Sequence, residues 1–505
     1  MSRQLFKSTA VVGSMTLISR LFGFVRDMLI AHLFGANSAT DAFFVAFKIP
    51  NFLRRLFAEG AFAHAFVPVL ADYKERGSKA TLKLFIDKTA GTLSVCLLAL
   101  TLIGVVAAPL LIMLLAPGFI GQVSQYALSV QLLQITFPYL FFVTLVAFSG
   151  AILNAHGRFA IPALTPVFLN ICMIAAAIWL APLMDEPVTA LAWGVFAAGL
   201  VQLLFQLPAL ARLGLLPRPR LGFGDTGVKR MITLMLPAIF SVSVTQINLL
   251  LDTLIASFLS VGSVSWLYYS DRLVEFPLGI LGLAVATVIL PNLAKSHAAD
   301  DSAAFSSSLD WGLRLVVLIG LPATIGLVLL SEPMLSTLFQ YHEFSSRDVH
   351  FAGQSLKAYS LGLLGFILIK VLVPGFSARG DMKTPVRYGV YAVVVSLALN
   401  LLLVFPLAHA GLALATALGA CFNAALLLMK LQQDKIYQPA KGWWLFFARV
   451  VLASGVMAAV LFYFVDSTCW HDWDSAARVF NLLKWIALGL ACYAATLRLT
   501  SFTHS

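Results

Sequence analysis

The sequence is poor in charge. Only 11% of its 505 residues are Asp, Glu, Lys or Arg, while 60% are hydrophobic. A soluble domain carries roughly a quarter charged residues, so this chain cannot cover itself with a polar surface in water. Cysteine is scarce too. Cys96, Cys172, Cys421 and Cys492 lie in apolar runs, Cys469 does not, and no CxxC pair or His/Cys cluster occurs. That pattern argues against a disulfide framework and against a zinc site, and no metal ligand set is expected. The phosphate loop GxxxxGK[ST], the HExxH pair and the GxSxG elbow are all missing. No soluble stretch is long enough for an ATPase domain, so an enzyme is not expected. A cleavable signal peptide is not expected either, because the first apolar segment, about 8–34, is too long and too interrupted by charge.

What the sequence does have is long apolar runs, such as 94–115, 133–153 and 390–405. They are not the roughly 10-residue alternation of a membrane β-barrel. Backbone polar groups in hydrocarbon must be satisfied internally, which leaves helices, each needing about 20 apolar residues. The expected fold class is an all-α polytopic membrane protein with about fourteen transmembrane helices. The expected spans are 8–34, 40–70, 88–115, 128–154, 160–182, 189–210, 230–258, 265–293, 310–331, 351–377, 386–406, 410–430, 443–465 and 480–500.

The net charge of +11 sits mainly in alternate short loops. One set carries Arg3, Lys7, Lys74, Arg76, Lys79, Lys83, Lys88, Arg158, Arg212, Arg218, Arg220, Lys229, Arg230, Lys295, Arg379, Lys383, Lys435 and Lys441. The other set (FGANSAT, APGFIGQVSQ, MDEP and SVGSVS) carries no Lys or Arg, and loop 466–478 sets Asp466, Asp472 and Asp474 against Arg478 alone. The positive-inside rule then places both termini in the cytoplasm, which an even number of spans satisfies. The basic loops read as topology and as contacts to anionic membrane lipids rather than as a nucleic-acid surface.

The chain also repeats itself. PVLA at 68–71 matches PNLA at 291–294, QLL at 131–133 matches QSL at 354–356, and Ala155, Gly157 and Pro162 match Ala378, Gly380 and Pro385. All three pairs are 223 residues apart, and DMLIA at 27–31 matches DTLIA at 252–256 at 225. Six spans per repeat give a parallel pseudo-two-fold, with two spans left over. The expected organisation is an N-terminal lobe over 1–222, a C-terminal lobe over 223–436 and two additional helices over 437–505. Substrate sites in such transporters lie between repeats.

Ionisable groups inside spans are expensive and usually face a cavity or a partner. Arg20 lies about 12 residues into the first span, or ~18 Å at 1.5 Å per residue, and Arg26 and Asp27 follow. Gly23 between them allows a kink or close packing. The second span opens with Asp41 and carries Lys48, then Pro50, which should break or kink the helix. Asn51, Arg54, Arg55 and Glu59 follow directly. The eighth span holds Asp271, Arg272 and Glu275 before Pro277, a similar charge-then-proline irregularity, and Lys370 lies in the tenth. Paired interruptions of this kind point to a transport site. The blander reading is mutual pairing: Arg26 with Asp27, Arg54 or Arg55 with Glu59, and Arg272 with Glu275. Against it, Arg20, Arg26, Arg54 and Arg272 come from at least three spans, and guanidinium forks suit phosphate through bidentate bonds. His32, His64 and His156 are isolated and read as packing or interfacial residues. Trp443 and Trp444 beside Lys441 read as interfacial anchors.

The segments SRLFGFVRD, TDAFFVAFKIPNFLRRLFAEGAFAHAFVPVLADY, SVSWLYYSDRLVEFPLGILG and PGFSARGDMKTP closely resemble the MurJ (MviN) family of bacterial lipid II flippases. That family lies within the multidrug/oligosaccharidyl-lipid/polysaccharide exporter superfamily. The resemblance runs from about residue 5 to 500. It implies two six-helix lobes around a central cationic cavity, and two extra helices lining a groove for the polyprenyl tail. The implied activity moves an undecaprenyl-pyrophosphate-linked peptidoglycan precursor from the inner to the outer leaflet of the bacterial cytoplasmic membrane. Substrate contacts are implied for Arg20, Arg26, Arg54 and Arg272, with Asn51 a candidate beside them. Gating or charge-pairing roles are implied for Asp27, Asp41, Glu59, Asp271 and Glu275. Arg55, Lys370 and Asp252 are secondary candidates; some members bind sodium in the C-terminal lobe, and Asp252 with Asn248 lies in the corresponding span. No cofactor is expected. Coupling would be to the membrane potential or a monovalent cation, and the partners are lipid II, membrane lipids and the cell-wall synthesis machinery. The rival readings are a flippase for another polyprenyl-linked glycan, a cation/drug antiporter of the same superfamily, and a non-transporting scaffold for wall-synthesis enzymes.

Overall fold

The computed structural model describes the backbone of residues 3–56, 62–466, 470 and 473–502, with side chains for all of these except 3–11, 63, 238, 240–245, 280–288 and 501–502. Glu59, Cys469, Asp472 and the side chains of Arg3 and Lys7 lie outside the described residues. Two compact units are formed, Met1–Gly262 and Ser263–Ser505. The first holds α1 (Arg3–Phe34), α2 (Ser38–Leu53), α3 (Phe62–Arg76), α4 (Lys79–Val106), α5 (Ala108–Leu115) and α6 (Val123–Thr136). It continues with α7 (Tyr139–Ala155), α8 (Ala160–Leu164), α9 (Val167–Ala175), α10 (Thr189–Arg212) and α11 (Thr226–Ala256). The second holds α12 (Ser263–Ala298), α13 (Ser302–Leu329), α14 (Ser331–Leu338), α15 (Ser346–Ser360) and α16 (Leu363–Ser377). It ends with α17 (Lys383–Gln433), α18 (Trp443–Phe464) and α19 (Ser475–Phe502).

All fourteen expected spans fall on helix. Among the described residues, nine helical stretches are long and apolar enough to cross a membrane. Many apolar side chains remain on the outside, including Val106, Leu183, Phe405 and Phe462, each at least 80% exposed. Water would not tolerate that surface; lipid tails would.

The helices start where the sequence supplies caps. Asn37 accepts from the N–H groups of Ala39 and Thr40 at α2, Ser78 from Thr81 at α4, Asp225 from Gly227 and Val228 at α11, and Asp301 from Ala304 at α13. Ser345 and Asp348 form a reciprocal capping box at α15.

The repeat is written into these boundaries. Helices starting at 79, 108, 123 and 160 recur at 302, 331, 346 and 383, each 223 residues on. Ser78 and Asp301, the paired N-caps, keep the same spacing. Gly157 and Gly380 end their helices with φ of 73° and 77°. Beside them, Arg158 N–H bonds Leu153 O at 2.9 Å and Asp381 N–H bonds Phe376 O at 3.1 Å, one Schellman closure built twice. A further pair was not visible in the sequence. Gly214 (φ 69°) and Lys435 (φ 56°) close α10 and α17 through bonds from Leu215 to Leu210 and from Ile436 to Leu431. Lysine in place of glycine hid that match.

Two expectations about proline need correction. Pro50 does not end its helix; α2 continues to Leu53 and the next turn, 54–56, widens to π geometry. Proline lacks the N–H that would close the local bond, so the helix loses register downstream rather than at the ring. Pro277 does not interrupt its helix at all, since α12 is helical from Ser263 to Ala298. The irregularity expected in both repeats therefore appears only in the first.

The helix α17, 51 residues long, contains both the eleventh and twelfth spans. Straight, it would reach about 76 Å, more than twice a bilayer core of about 30 Å. It folds back at Ala408 (φ 47°, ψ −127°), just after Pro406. Ser396 Oγ then bonds Ala415 O at 3.3 Å, and a Cβ on Gly411 would stand 2.2 Å from Leu403 O. These pairings describe an antiparallel hairpin whose tightest approach requires glycine at 411.

Loops of like charge gather together. In the first unit, three loops free of Lys and Arg meet: Gln125 bonds Ser38 O, Asp41 accepts from Gly262 N–H, and Gly118 N–H bonds Ser257 Oγ. The basic loops also meet one another. Lys74 bonds Ala155 O, Lys88 pairs with Asp225 at 2.8 Å, and Arg230 pairs with Asp72 at 2.6 Å.

Candidate functional site

In the first unit, the candidate residues lie on α1, α2 and α11. Arg26 is 8% exposed and Asp27 2%. Arg26 Nε and Nη2 reach Asp27 Oδ1 at 2.9 and 2.6 Å. Its Nη1 donates to Asn170 Oδ1 at 2.9 Å, and Asn170 Nδ2 donates to Ser19 O at 3.0 Å. One amide on α9 thus holds the Arg26 guanidinium and also ties down the backbone one residue before Arg20. Gly23 makes room for it: a Cβ there would sit 3.5 Å from Asn170 Nδ2. The close packing expected at Gly23 is therefore against α9. Arg20 itself is exposed.

On α2, Asp41 is buried, and its Oδ2 accepts from Gly262 N–H at 2.7 Å. A carboxylate in the first turn of a helix also lies at the favourable end of the macrodipole. Lys48 Nζ bonds Thr253 Oγ1 at 2.7 Å, and Arg55 Nη1 lies 3.4 Å from Gln246 Oε1, so two cations of the second span meet polar residues of α11. Arg54 bonds Asn51 Oδ1 twice, at 3.0 and 2.8 Å. Asp252 is buried and its Oδ2 accepts from Asn248 Nδ2 at 3.4 Å.

In the second unit, Arg272 Nη1 bonds Glu275 Oε2 at 2.6 Å, and the guanidinium lies 4.7 Å from the Tyr268 ring centroid. That cation–π contact steadies the charge while leaving its edge for hydrogen bonding. Asp271 is half-buried one residue before Arg272, and Lys370 is exposed on α16. Pairing thus occurs for Arg26 with Asp27 and for Arg272 with Glu275, whereas Arg54 bonds Asn51.

Sequence reasoning missed Asn170, Gln246 and Thr253. Asn170 had a readable signal, a lone amide in the apolar run VFLNICMIA. It also missed two aspartates on corresponding helices. Asp87 Oδ1 on α4 accepts from Lys83 and from Arg218 N–H at 2.7 Å. Asp310 on α13, 223 residues on, accepts from Arg314 at 2.8 Å, Tyr437 at 2.8 Å, Ala440 N–H at 3.1 Å and Trp443 at 2.5 Å. Each clamps the segment that leaves its own repeat, 213–225 or 434–442. Burial and the neighbouring Asp310 carboxylate push the Tyr437 hydroxyl up, which keeps it a donor. Burial alone would push the Asp225 carboxyl up. Hydrogen bonds from Lys88 and from the Val228 and Gly227 N–H groups outweigh it and hold that carboxyl below its ordinary value.

Buried cations on unbroken apolar helices, with no apparatus for bond chemistry in the sequence, define a polytopic helical transporter. Solved structures support that class. A multidrug resistance MATE transporter of the MOP superfamily, in an inward-facing conformation, aligns with 85% of this chain and 98% of its own at a TM-score of 0.70 and 14% identity, which shows a shared fold. A solved lipid II flippase MurJ, in an inward closed conformation, aligns with 96% of this chain and 98% of its own at a TM-score of 0.81 and 26% identity. Residues 30–483 match the family described as lipid II flippase MurJ. A probable lipid II flippase MurJ of Vibrio cholerae is 48% identical over 99% of this chain and 96% of its own. A lipid II flippase MurJ of Burkholderia cenocepacia is 41% identical over 97% and 94%. The chain belongs to the MurJ lipid II flippase family and is a multi-pass membrane protein.

Proposed function

We propose that this protein carries lipid II from the inner to the outer leaflet of the bacterial cytoplasmic membrane for peptidoglycan synthesis, as a transporter and not an enzyme. The observation that carries the mechanism is Arg26, buried in an apolar helix bundle and aimed by Asp27 and Asn170. Placing such a cation out of water is costly, and breaking a buried pair costs about 3–5 kcal/mol. An anionic substrate gives that arrangement a use. Arg20, Arg26, Arg54 and Arg272, with Asn51, bind the pyrophosphate by charge-assisted hydrogen bonds. Asp27, Asp41, Glu59, Asp271 and Glu275 compensate the arginines when substrate is absent. The polyprenyl tail stays in lipid, so only the head group needs a polar route, and alternating access provides it.

The fold supports fourteen crossings: two six-helix repeats over 1–222 and 223–436, then two helices over 437–505. Both termini are cytoplasmic, because the basic loops would share that face. No ATPase domain is present in the sequence, so energy comes from the membrane potential or a monovalent cation. An inside-negative potential itself drives an anion outward by about 2.3 kcal/mol per charge per 100 mV. Association with the cell-wall synthesis machinery follows from the product's destination.

Complementation tests the reading. Cells depleted of their own flippase should grow with the wild-type chain and fail with Arg20→Ala or Arg272→Ala at equal membrane abundance. Growth with both variants would remove the arginines from the mechanism.

A further inference from the structure

The basic end of the first unit contains a cavity of about 270 Å³ that the transport reading does not use. Lys74, Ser78, Lys79, His156, Leu213 and Leu215 line it. These residues come from three places in the chain: the α3–α4 turn, the end of α7 and the end of α10. None of the three basic side chains takes part in an ion pair among the described residues. Lys74 bonds Ala155 O, and the His156 Nδ1–H is committed to Ile152 O at 2.8 Å, which fixes the tautomer and leaves Nε2 as the second polar atom of the ring. Lys79 Nζ lies over the Gly214 turn, 3.6 Å from where a Cβ on that glycine would stand. The Leu213 and Leu215 side chains add an apolar wall.

The internal repeat supplies a control. The fold builds this corner twice, but the second copy carries His297, Asp301, Ser302 and Arg379 at the positions of Lys74, Ser78, Lys79 and His156. Asp434 also stands where Leu213 does, by the pairing of Gly214 with Lys435. Two acids enter and both lysines are lost. The positive corner is therefore not a by-product of the architecture.

We propose that this cavity binds a phosphate group, held by Lys74 and Lys79 with His156 as a further donor or acceptor. A liquid water occupies about 30 Å³, so an anion of phosphate size fits together with several waters. The phosphate comes from an anionic phospholipid headgroup, whose chains the Leu213 and Leu215 wall would meet, or from a soluble phosphate.

The full-length protein is purified in detergent and offered phosphatidylglycerol, phosphatidylethanolamine or inorganic phosphate. Native mass spectrometry counts retained lipid, and thermal unfolding reports phosphate binding. Wild type should retain phosphatidylglycerol over phosphatidylethanolamine, or gain thermal stability in phosphate but not in chloride at equal ionic strength. The first result assigns a lipid source and the second a soluble one. In Lys79→Gln and Lys74→Gln/Lys79→Gln the preference should fall by roughly fivefold for each lysine removed, as expected for single charges near an anionic surface. The second-repeat variant Lys295→Gln should leave it unchanged. Wild type with neither preference, or lysine variants indistinguishable from it, would overturn the site. The wild-type arm decides even where a variant folds poorly.

Discussion

At the residue scale, the unusual object is a buried guanidinium whose orientation is set by a neutral amide. Asn170 accepts from Arg26 and donates to Ser19 O, so its removal frees one cation and loosens the backbone beside another. We expect Asn170→Ala to reduce transport on the order of tenfold while costing about 1–3 kcal/mol of stability, the range for a buried group left without its partner. Transport assays at equal abundance check this, and a fully active variant would make Asn170 a packing residue only. The arginines were legible in the sequence because charge in an apolar run is conspicuous. Asn170 was not, because a single amide in a long helix has many bland explanations, and Glu59 lies outside the described residues.

At the element scale, the helices were readable in number and place, since apolar length and caps such as Ser78 and Asp225 are local signals. Their breaks were not. Pro50 and Pro277 have the same chemistry, yet only one precedes a loss of helical register, because tertiary packing decides how a missing N–H is accommodated. The fold-back at Ala408 was placed between two spans by hydropathy, but its backbone strain was invisible. A non-glycine residue at φ 47° carries strain of about 1–3 kcal/mol, so Ala408→Gly should stabilise the protein by about 1 kcal/mol, read as a raised unfolding temperature.

The clamps also belong to this scale. Asp87→Asn and Asp310→Asn should each destabilise by about 1–3 kcal/mol. The Asp310 change should be the larger, because four donors converge there. Denaturant or thermal midpoints check the order. Asp225 makes a pH prediction. Its carboxyl is held below the ordinary 3.8 in the folded protein, so its contribution to the start of α11 is complete above that value and is lost as pH falls through the lower folded one. Hydrogen exchange at Gly227 and Val228 should therefore be insensitive to Asp225 protonation near neutral pH and should quicken only in strong acid. Asp225→Ala should quicken it at every pH, costing about 1 kcal/mol.

At the scale of the whole molecule, the duplication was legible from four short matches at one spacing. The structure extends it to helix starts, caps and Schellman closures. Yet the compact units divide at Gly262, so α11 opens the second repeat but packs with the first. Gene-level periodicity and packing are separate facts, and only the first is written in residue spacing. The same holds for charge: the two copies of the corner around Ser78 and Asp301 share backbone geometry and differ in sign.

The central claim is that a cation buried in this bundle exists to handle a lipid-linked pyrophosphate. The most direct measurement is lipid II translocation to the outer leaflet in cells depleted of their own flippase, comparing wild type with Arg26→Ala at matched membrane expression. The account predicts translocation with wild type and none with Arg26→Ala. Equal translocation by both would contradict it.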